Sequence, residues 1–264
     1  MLVKPFGFIN TQGGGGIGYG NPPYEDGLIV YYDFGDNTDG SYRGGTPLAN
    51  GATVYDLSGN GVDSVLDNNS NAQLFQYIDS QSLGVVRTLN KNGGHFAMPA
   101  LTGDLTGLSN VTLEFFINAI GMGGDNVLYR FDSDTRIETN LQQYAGSPVP
   151  DRISADWKTE EQTAINYPLT NQAIDDGFHH IVYTGGVGEG TKVYFDGTLL
   201  GTGAVNWPSG ETMDFDGGGS GQAWMGTQNY AGGCYNGDMA VFRLYSSTMP
   251  AASVTANYNY YNAI

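Results

Sequence analysis

Segments in which apolar and polar side chains alternate place the tightest constraint on how this chain folds. In residues 111–118, apolar side chains occupy the odd positions and Thr112, Glu114 and Asn118 occupy even ones, with Phe116 as the exception. A repeat of two residues is typical of a β-strand, because successive side chains point to opposite faces of a sheet. The segment is therefore predicted to be a half-buried strand.

Turn signals mark the clearest hairpin. The pair Asp196-Gly197 separates residues 191–196 from residues 198–203. An Asp-Gly pair readily adopts the positive φ angles that a two-residue turn requires, so these two segments are predicted to be paired strands.

Two more strands and one helix complete the coarse prediction. Residues 28–34 form a strand-like run, and residues 239–245 alternate, with the even-numbered side chains opposite the odd-numbered ones. The one helical pattern is in residues 251–257, after Pro250. The 41 glycines, 18 tyrosines and 12 phenylalanines among 264 residues are typical of short strands joined by tight turns. The predicted class is all-β.

The charge balance excludes one set of partners. Lys and Arg total 10 against 27 Asp and Glu, a formal net charge of −17. Nucleic-acid binders gain affinity from basic groups that neutralise phosphates, and anionic membranes repel an acidic surface, so neither partner is expected. The acidity is interpreted as an aid to solubility.

The single cysteine, Cys234, cannot form an internal disulfide, which favours folding in a reducing cytoplasm.

The first 26 residues differ from the rest. The opening apolar run is interrupted by Pro5 and Gly7, and it is too short for the core of a signal peptide. Four consecutive glycines and then Pro22-Pro23 follow, a flexible stretch and a stiff one. Residues 1–26 are interpreted as an N-terminal arm, either a plain tail or a tether for an apolar hook that docks onto a neighbouring subunit. The hook residues would be Leu2, Val3, Phe6, Phe8 and Ile9.

Four pieces of sequence, taken in order, carry a family resemblance: GLIVYYDF, VYDLSGNG, FHHIVYTGGVGEGTKVYFDGTLLGTG and GDMAVFRLYSSTMPAASVTANYN. The third is similar to a family hairpin motif, with Phe178 in a Trp position and His179-His180 retained. The last matches the family's closing strand at Arg243 and departs from it at Ser246. Together they resemble the laminin-G-like, concanavalin A-like superfamily. Within residues 27–61, the set Gly27, Tyr32, Asp33, Tyr42, Tyr55 and Asp56 to Gly61 resembles versions found in virion proteins of tailed phages.

The resemblance implies an antiparallel two-sheet jelly-roll sandwich over residues 27–264, preceded by the extended Gly-rich arm. It also implies that His179-His180 is structural, with one ring against the core. No catalytic residue is assigned. Glycoside hydrolysis needs two carboxylates that face each other across a cleft, and enzymes with this sandwich place them on one strand face with the spacing E-x-D-x-E or a close variant, which does not occur in this sequence. The nearest acidic cluster, Asp156 with Glu160 and Glu161, is interpreted as a solvated loop.

Calcium is the one cofactor that the resemblance brings into consideration, since members of the superfamily bind it at the rim of the sandwich. The candidate ligands are Asp33 and Asp56, in loops expected to lie near one another together with Asp36 and Asp39. The alternative is that these carboxylates form turns by bonding to their own backbone. An acidic residue common in the closing strand is replaced by Ala240, which counts against calcium.

Sugar binding is the other property implied by the resemblance, and it would need exposed aromatic side chains beside polar groups. Trp224 is predicted to be in the core, and Trp207, before Pro208, is the better surface candidate. Trp157, Tyr230 and Tyr235 are also available, but no sugar contact is assigned.

Two functions follow as expectations. The first is a non-enzymatic virion structural protein, a capsid decoration or fibre-like subunit that is assembled in the host cytoplasm. Its partners would be the major capsid protein or sister subunits in a homo-oligomer, with weak contacts to host glycans. The alternative is a free-standing carbohydrate-binding lectin domain.

Overall fold

The structure is a computed structural model, and it describes residues 23–34, 51, 53–67, 75–80, 83–88, 95–98, 107–120, 123–132, 136–144, 152–159, 163–166, 170–175, 177–203, 207–213, 223–225 and 237–263.

Strands dominate these residues. In chain order the elements are β1 (Leu28–Asp33), β2 (Thr53–Val54), β3 (Ser64–Asp67), β4 (Phe75–Ser80), β5 (Leu83–Thr88), β6 (His95–Met98), β7 (Asn110–Ala119), β8 (Gly123–Asp132), β9 (Arg136–Tyr144), β10 (Arg152–Lys158), β11 (Ala164–Asn166), β12 (Thr170–Asn171), β13 (Phe178–Gly186), β14 (Lys192–Phe195), β15 (Thr198–Thr202), β16 (Ala223–Met225), β17 (Gly237–Tyr245) and α1 (Ala251–Tyr261).

The strands form two antiparallel sheets. An eight-stranded sheet has the order β15-β14-β13-β7-β17-β5-β4, with β1 also paired to β17. A nine-stranded sheet has the order β11-β10-β9-β8-β16-β6-β3-β2, with β12 also paired to β10. The chain passes between the sheets several times, as expected for a jelly roll. The predicted all-β, two-sheet class is confirmed.

One hydrophobic core lies between the sheets. Phe115, Ile181 and Phe242 from the eight-stranded sheet and Trp157 and Ile165 from the nine-stranded sheet belong to one buried cluster. The side chains that alternate inward along each strand therefore close over a shared interior, in the way that two-sheet packing requires.

The predicted strands and hairpin are present. Residues 28–34 contain β1, and the hairpin consists of β14 and β15. Both turn residues have positive φ, 48° at Asp196 and 73° at Gly197, as a tight two-residue turn demands. The predicted helix begins at Ala251 as expected and extends to Tyr261.

The alternation predicted for residues 239–245 holds except at its start. A β-bulge between Met239 and Val241 shifts the register of β17 against β7. Met239 consequently belongs to the core between the sheets, and Ala240 belongs to the cluster on the opposite side. The prediction for these two residues is wrong, because one extra residue in a strand reverses the faces on either side of it.

Helix α1 covers the outer face of the eight-stranded sheet, the face that points away from the nine-stranded sheet. Tyr261 stacks on Phe116 with ring centroids 5.0 Å apart. Val254 packs in a cluster with Val182 and Tyr245. Strand β7 is therefore buried on both faces, and its predicted half-buried character is wrong.

Among the described residues, no helix combines the length and apolar character needed to cross a membrane.

Candidate functional site

The free edge of β1 is covered by residues 55–63, which we name the edge loop. On its other side β1 pairs with β17. The Leu57 amide donates to the Tyr31 carbonyl oxygen at 2.8 Å, and the Tyr31 amide donates to Asp56 Oδ1 at 2.9 Å. The loop thus supplies the hydrogen bonds that a neighbouring strand would make, and it protects an edge that could otherwise pair with another chain.

The carboxylate of Asp56 organises the edge loop. Its Oδ1 accepts from the amides of Tyr31 and Ser58, at 2.9 and 3.0 Å. Its Oδ2 accepts from the Ser58 hydroxyl at 2.7 Å and from the Val62 amide at 3.1 Å. A carboxylate has about four acceptor positions, so these four bonds occupy them. Asp56 therefore holds both ends of the loop and the strand beside it.

Other polar side chains of the edge loop add to this arrangement. The side-chain Nδ2 of Asn60 donates to the Ile29 carbonyl oxygen at 2.8 Å. Ser58 Oγ lies at the same distance from that oxygen, so its single hydrogen is shared between Ile29 and Asp56 Oδ2. The Asp56 amide donates to Asp63 Oδ1 at 2.9 Å. The loop is therefore fixed to β1 by side chains as well as by backbone.

Two apolar side chains project from this fixed loop. Tyr55 is 44% exposed and Leu57 39%, and with Leu199 they make up the exposed large hydrophobic side chains of the described residues. An exposed aromatic ring on a fixed loop is one element of the sites by which proteins bind sugars. The edge loop is the candidate binding site, and Tyr55 is its central residue.

The aromatic side chains considered from sequence as sugar contacts are either buried or outside the described residues. Trp207 is 2% exposed and its indole donates to the Glu211 carbonyl oxygen at 2.9 Å, so the prediction that it is a surface residue is wrong. Trp157 is fully buried. The Trp224 side chain, Tyr230 and Tyr235 lie outside what the structure describes. Tyr55 was not considered among the aromatic candidates from sequence, because its exposure depends on the fold of the edge loop.

Asp33 and Asp56, the proposed calcium ligands, bond to opposite ends of Tyr31. Asp56 accepts from its amide, while Asp33 Oδ2 accepts from its phenolic hydroxyl at 3.1 Å. Asp33 lies at the end of β1 and is 2% exposed, so it is not in a rim loop as expected. Asp36 and Asp39 lie outside the described residues, within which no group of three or more metal-binding side chains occurs. The contacts favour the turn-forming role of Asp56, and the calcium site stays a prediction.

A buried polar network lies between α1 and the outer face of the eight-stranded sheet. Glu114 on β7 is fully buried at its centre. One carboxylate oxygen accepts from His180 Nε2 at 2.7 Å and Asn257 Nδ2 at 2.9 Å. The other accepts from the Tyr245 hydroxyl at 2.6 Å and lies 3.8 Å from an Arg243 nitrogen.

Arg243 is the cation of this network. Its guanidinium lies over the Tyr31 ring, 3.9 Å from the centroid, and donates to the Tyr261 hydroxyl. A buried charge is tolerated only when it is paired and hydrogen-bonded, and here Glu114 and the aromatic rings provide both. Burial alone would raise the pKa of Glu114, but the hydrogen bond and attraction of His180, the charge of Arg243 and the hydrogen bond from Tyr245 lower it to about 2.

The two adjacent histidines have structural contacts, as the resemblance implied. The His179 ring stacks on Phe195 of the core with centroids 4.6 Å apart. His180 is fully buried and bonds to Glu114. The interpretation of the pair as structural is confirmed.

The arm meets the sandwich at Tyr24. The Tyr24 ring lies 5.6 Å from that of Tyr245, its amide donates to Asn257 Oδ1 at 3.3 Å, and its hydroxyl is 3.0 Å from Ser247 Oγ. The hook residues Leu2, Val3, Phe6, Phe8 and Ile9 lie outside the described residues, so the hook and the boundary after residue 26 stay predictions.

Solved structures of related fold include domain 4 of AbnA, a GH43 extracellular arabinanase from Geobacillus stearothermophilus, in complex with arabinotriose. Its TM-score is 0.58 at 17% identity, over 88% of this chain and 98% of that one. The binding domain of Paraclostridial Mosquitocidal Protein 1 gives a TM-score of 0.60 at 15% identity, over 89% of this chain and 52% of that one. The receptor binding domain of botulinum neurotoxin mosaic serotype C/D gives 0.62 at 11% identity, over 89% and 51%.

This chain therefore spans about half the length of the two toxin domains. At these identities the likeness shows the fold alone. No curated protein matches the chain in sequence. A family model described as the concanavalin A-like lectin/glucanases superfamily matches residues 90–255, well over half of the sequence. With its two-sheet sandwich and this match, the chain belongs to the concanavalin A-like lectin/glucanases superfamily.

Proposed function

We propose that this chain is a non-catalytic glycan-recognition domain that binds sugar through the edge loop. The observation that carries the proposal is the exposed ring of Tyr55 on a loop fixed to β1 by Asp56, Ser58 and Asn60. A rigid loop lowers the entropic cost of binding, and an aromatic face matches the apolar face of a sugar ring. The related arabinanase domain, whose structure contains arabinotriose, supports sugar as the class of ligand.

The positions of three carboxylates on the outer face of the eight-stranded sheet support binding rather than hydrolysis at that face. Asp33, Glu114 and Asp238, on the outer face of the eight-stranded sheet, are each no more than 2% exposed. Their described partners are side chains of the same face, such as Asn118 at 3.1 Å from Asp238 and Tyr31 at 3.1 Å from Asp33. Glycoside hydrolysis needs a carboxyl pair that faces the substrate, and buried carboxylates cannot serve as one.

A glycan array followed by titration of the best ligand tests the proposal. We expect Tyr55→Ala to weaken binding about tenfold or more, because it removes the ring on which the sugar rests. Leu199→Ala is the matched control. Leu199 is an equally exposed apolar side chain, and it lies on β15, an edge strand of the eight-stranded sheet that also contains β1. It should leave the affinity unchanged.

Three results would contradict the proposal. The first is an array without selective binding by the folded protein. The second is an equal loss of affinity in both variants, which would remove the edge loop from the site. The third is release of reducing ends from the bound glycan, which would replace recognition by catalysis.

We propose further that the domain is displayed on a virus particle and held there by its arm. The resemblance of residues 27–61 to virion proteins of tailed phages supports this location. The contacts of Tyr24 with Tyr245, Ser247 and Asn257 support the attachment, because they give the arm a fixed point of exit beside α1. Many copies on one particle would strengthen weak individual glycan contacts.

Deleting residues 1–22 tests the role of the arm and retains Tyr24. We expect the intact chain to form homo-oligomers or to co-sediment with virus particles, and the shortened chain to be a folded monomer that stays in the supernatant. Light scattering gives the mass, and mass spectrometry of gradient-purified particles gives the location. An unchanged mass together with absence from the particles would exclude the virion role and leave glycan binding unaffected.

A further inference from the structure

His179 connects three parts of the chain that are separate in sequence. Its Nδ1 lies 2.9 Å from Asp196 Oδ2 in the turn between β14 and β15. Its Nε2 lies 3.1 Å from both the carbonyl oxygen and the Oδ1 of Asp175. Asp175 belongs to residues 172–175, which follow β12 in the nine-stranded sheet where the chain crosses to β13 in the eight-stranded sheet. The ring therefore joins this crossover to the hairpin turn.

All the atoms that face the two ring nitrogens are hydrogen-bond acceptors. A carboxylate oxygen and a carbonyl oxygen accept but do not donate. A neutral imidazole carries one N–H group, so it could donate to Asp196 or to Asp175 but not to both. The imidazolium ion donates from both nitrogens. The contacts therefore fit the doubly protonated ring.

We propose that His179 is a pH-dependent clamp, which in its doubly protonated form holds the crossover to the hairpin turn and on losing a proton releases the Asp175 side. Asp196 is held independently of the ring: its Oδ1 accepts from the His180 amide at 2.9 Å, and its own amide donates to the His180 carbonyl oxygen at 2.8 Å. The Asp175 side chain is 85% exposed, so solvent can replace the ring there. Release is thus confined to the crossover.

Among the residues that the structure describes, the charged groups that face the ring are these two carboxylates. Strand β7 presents Ile117 beside His179, and β14 presents the Phe195 ring on which it stacks. Helix α1 reaches the turn through Thr255, whose hydroxyl donates to the Gly197 carbonyl oxygen at 3.1 Å. His180 and Glu114 bond to each other on the opposite face of the sheet. Asp176 lies outside the described residues.

The direction of the pH effect follows from the pKa. Burial alone would lower the pKa of His179, but the hydrogen bond and charge of Asp196, followed by those of Asp175, raise it above the ordinary 6.5. A group whose pKa is raised on folding stabilises the fold fully below its unfolded pKa, and this contribution is lost as the pH rises through the folded pKa. The clamp is therefore closed below pH 6.5 and opens as the pH rises through the folded pKa, which lies above that value.

Nuclear magnetic resonance of the ¹⁵N-labelled protein tests the clamp. The three histidines of the chain are distinguished with the variant His179→Gln. We expect both ring nitrogens of His179 to carry protons below pH 6.5, where the raised pKa keeps the ring charged. Once the ring deprotonates, the amides of residues 172–175 should exchange with solvent faster than base catalysis alone predicts.

Two matched variants give the second readout. We expect Asp196→Asn to lower the pKa of His179 by about one unit or more, because it removes the adjacent charge. Asp26→Asn changes the net charge equally at an exposed position and should leave that pKa unchanged. A ring that titrates below the ordinary 6.5, or that carries one proton at more acidic pH, would overturn the proposal. So would an Asp196→Asn protein that titrates like the wild type, or exchange in residues 172–175 that is indifferent to the state of the ring. Should Asp196→Asn not fold, the wild-type titration and exchange decide alone.

Discussion

Replacing Glu114 by glutamine is expected to lower the free energy of unfolding by about 3–5 kcal/mol, the cost of removing one partner from a buried ion pair. The variant keeps the size of the side chain but leaves the Arg243 guanidinium without its counter-charge, in a site where both side chains are fully buried. It also puts an NH₂ group opposite one of the donors from His180, Asn257 and Tyr245. Urea unfolding followed by tryptophan fluorescence measures the change.

Glu25→Gln is the control for this experiment, since Glu25 is exposed and loses the same charge. It should stay within about 0.5 kcal/mol of the wild type. The pH dependence adds a second check. The pKa of Glu114 is about 2 when folded and 4.5 ordinarily, so its stabilisation is complete above pH 4.5 and is lost as the pH falls toward 2. Glu114→Gln should remove this part of the acid sensitivity. Equal stability of the two variants would show that the ion pair contributes nothing.

Replacing Asp56 by alanine is expected to cost about 2–4 kcal/mol, because the amides of Tyr31, Ser58 and Val62 lose their acceptor at the edge of β1. The edge loop should detach, and the exposed position of Tyr55 should be lost with it. Thermal unfolding gives the stability, and binding of the glycan selected by the array reports on the loop.

The same variant separates the two roles considered for Asp56. If the carboxylate only forms the turn, wild type and Asp56→Ala differ by the same amount with calcium and with a chelator. Asp26→Ala, an exposed carboxylate replaced in the same way, should change neither stability nor binding. A difference that disappears on removal of calcium would instead assign Asp56 to a metal site.

Features that depend on neighbouring residues were predictable from the sequence. The turn at Asp196-Gly197 needs only two residues that tolerate positive φ, and both have it. The strand containing residues 111–118 follows from a local repeat of two. The helix start after Pro250 is equally local.

Features that depend on distant contacts were not predictable in this way. Glu114 looks like a solvent-facing residue of an alternating strand, and its burial comes from Asn257, which is 143 residues away in the chain. Trp207 precedes a proline in a polar stretch, yet it packs into the core between the sheets. The bulge at Ala240 has no local signal comparable to a glycine or proline. Each outcome is decided by which element packs against the residue, a property that the repeat of apolar side chains does not contain.

The candidate site lies between these cases. The segment VYDLSGNG is one of the four pieces that carry the family resemblance, and the close spacing of Asp56, Ser58 and Asn60 is itself a signal of a turn bonded to its own backbone. Nothing in that spacing indicates that the loop covers the edge of β1. The exposure of Tyr55 follows from that placement, so it could be found only in the folded structure.

The pairing of β1 with β17 has a consequence for how the protein is made. Leu28 of β1 lies opposite Tyr245 of β17. Strand β1 leaves the ribosome first, and more than two hundred further residues must be synthesised before β17 can pair with it. Contacts so distant in sequence make folding slow, and unpaired strands aggregate readily. While translation continues, the edge loop is a neighbour of β1 that is already present, and it can shield the waiting strand from other nascent chains.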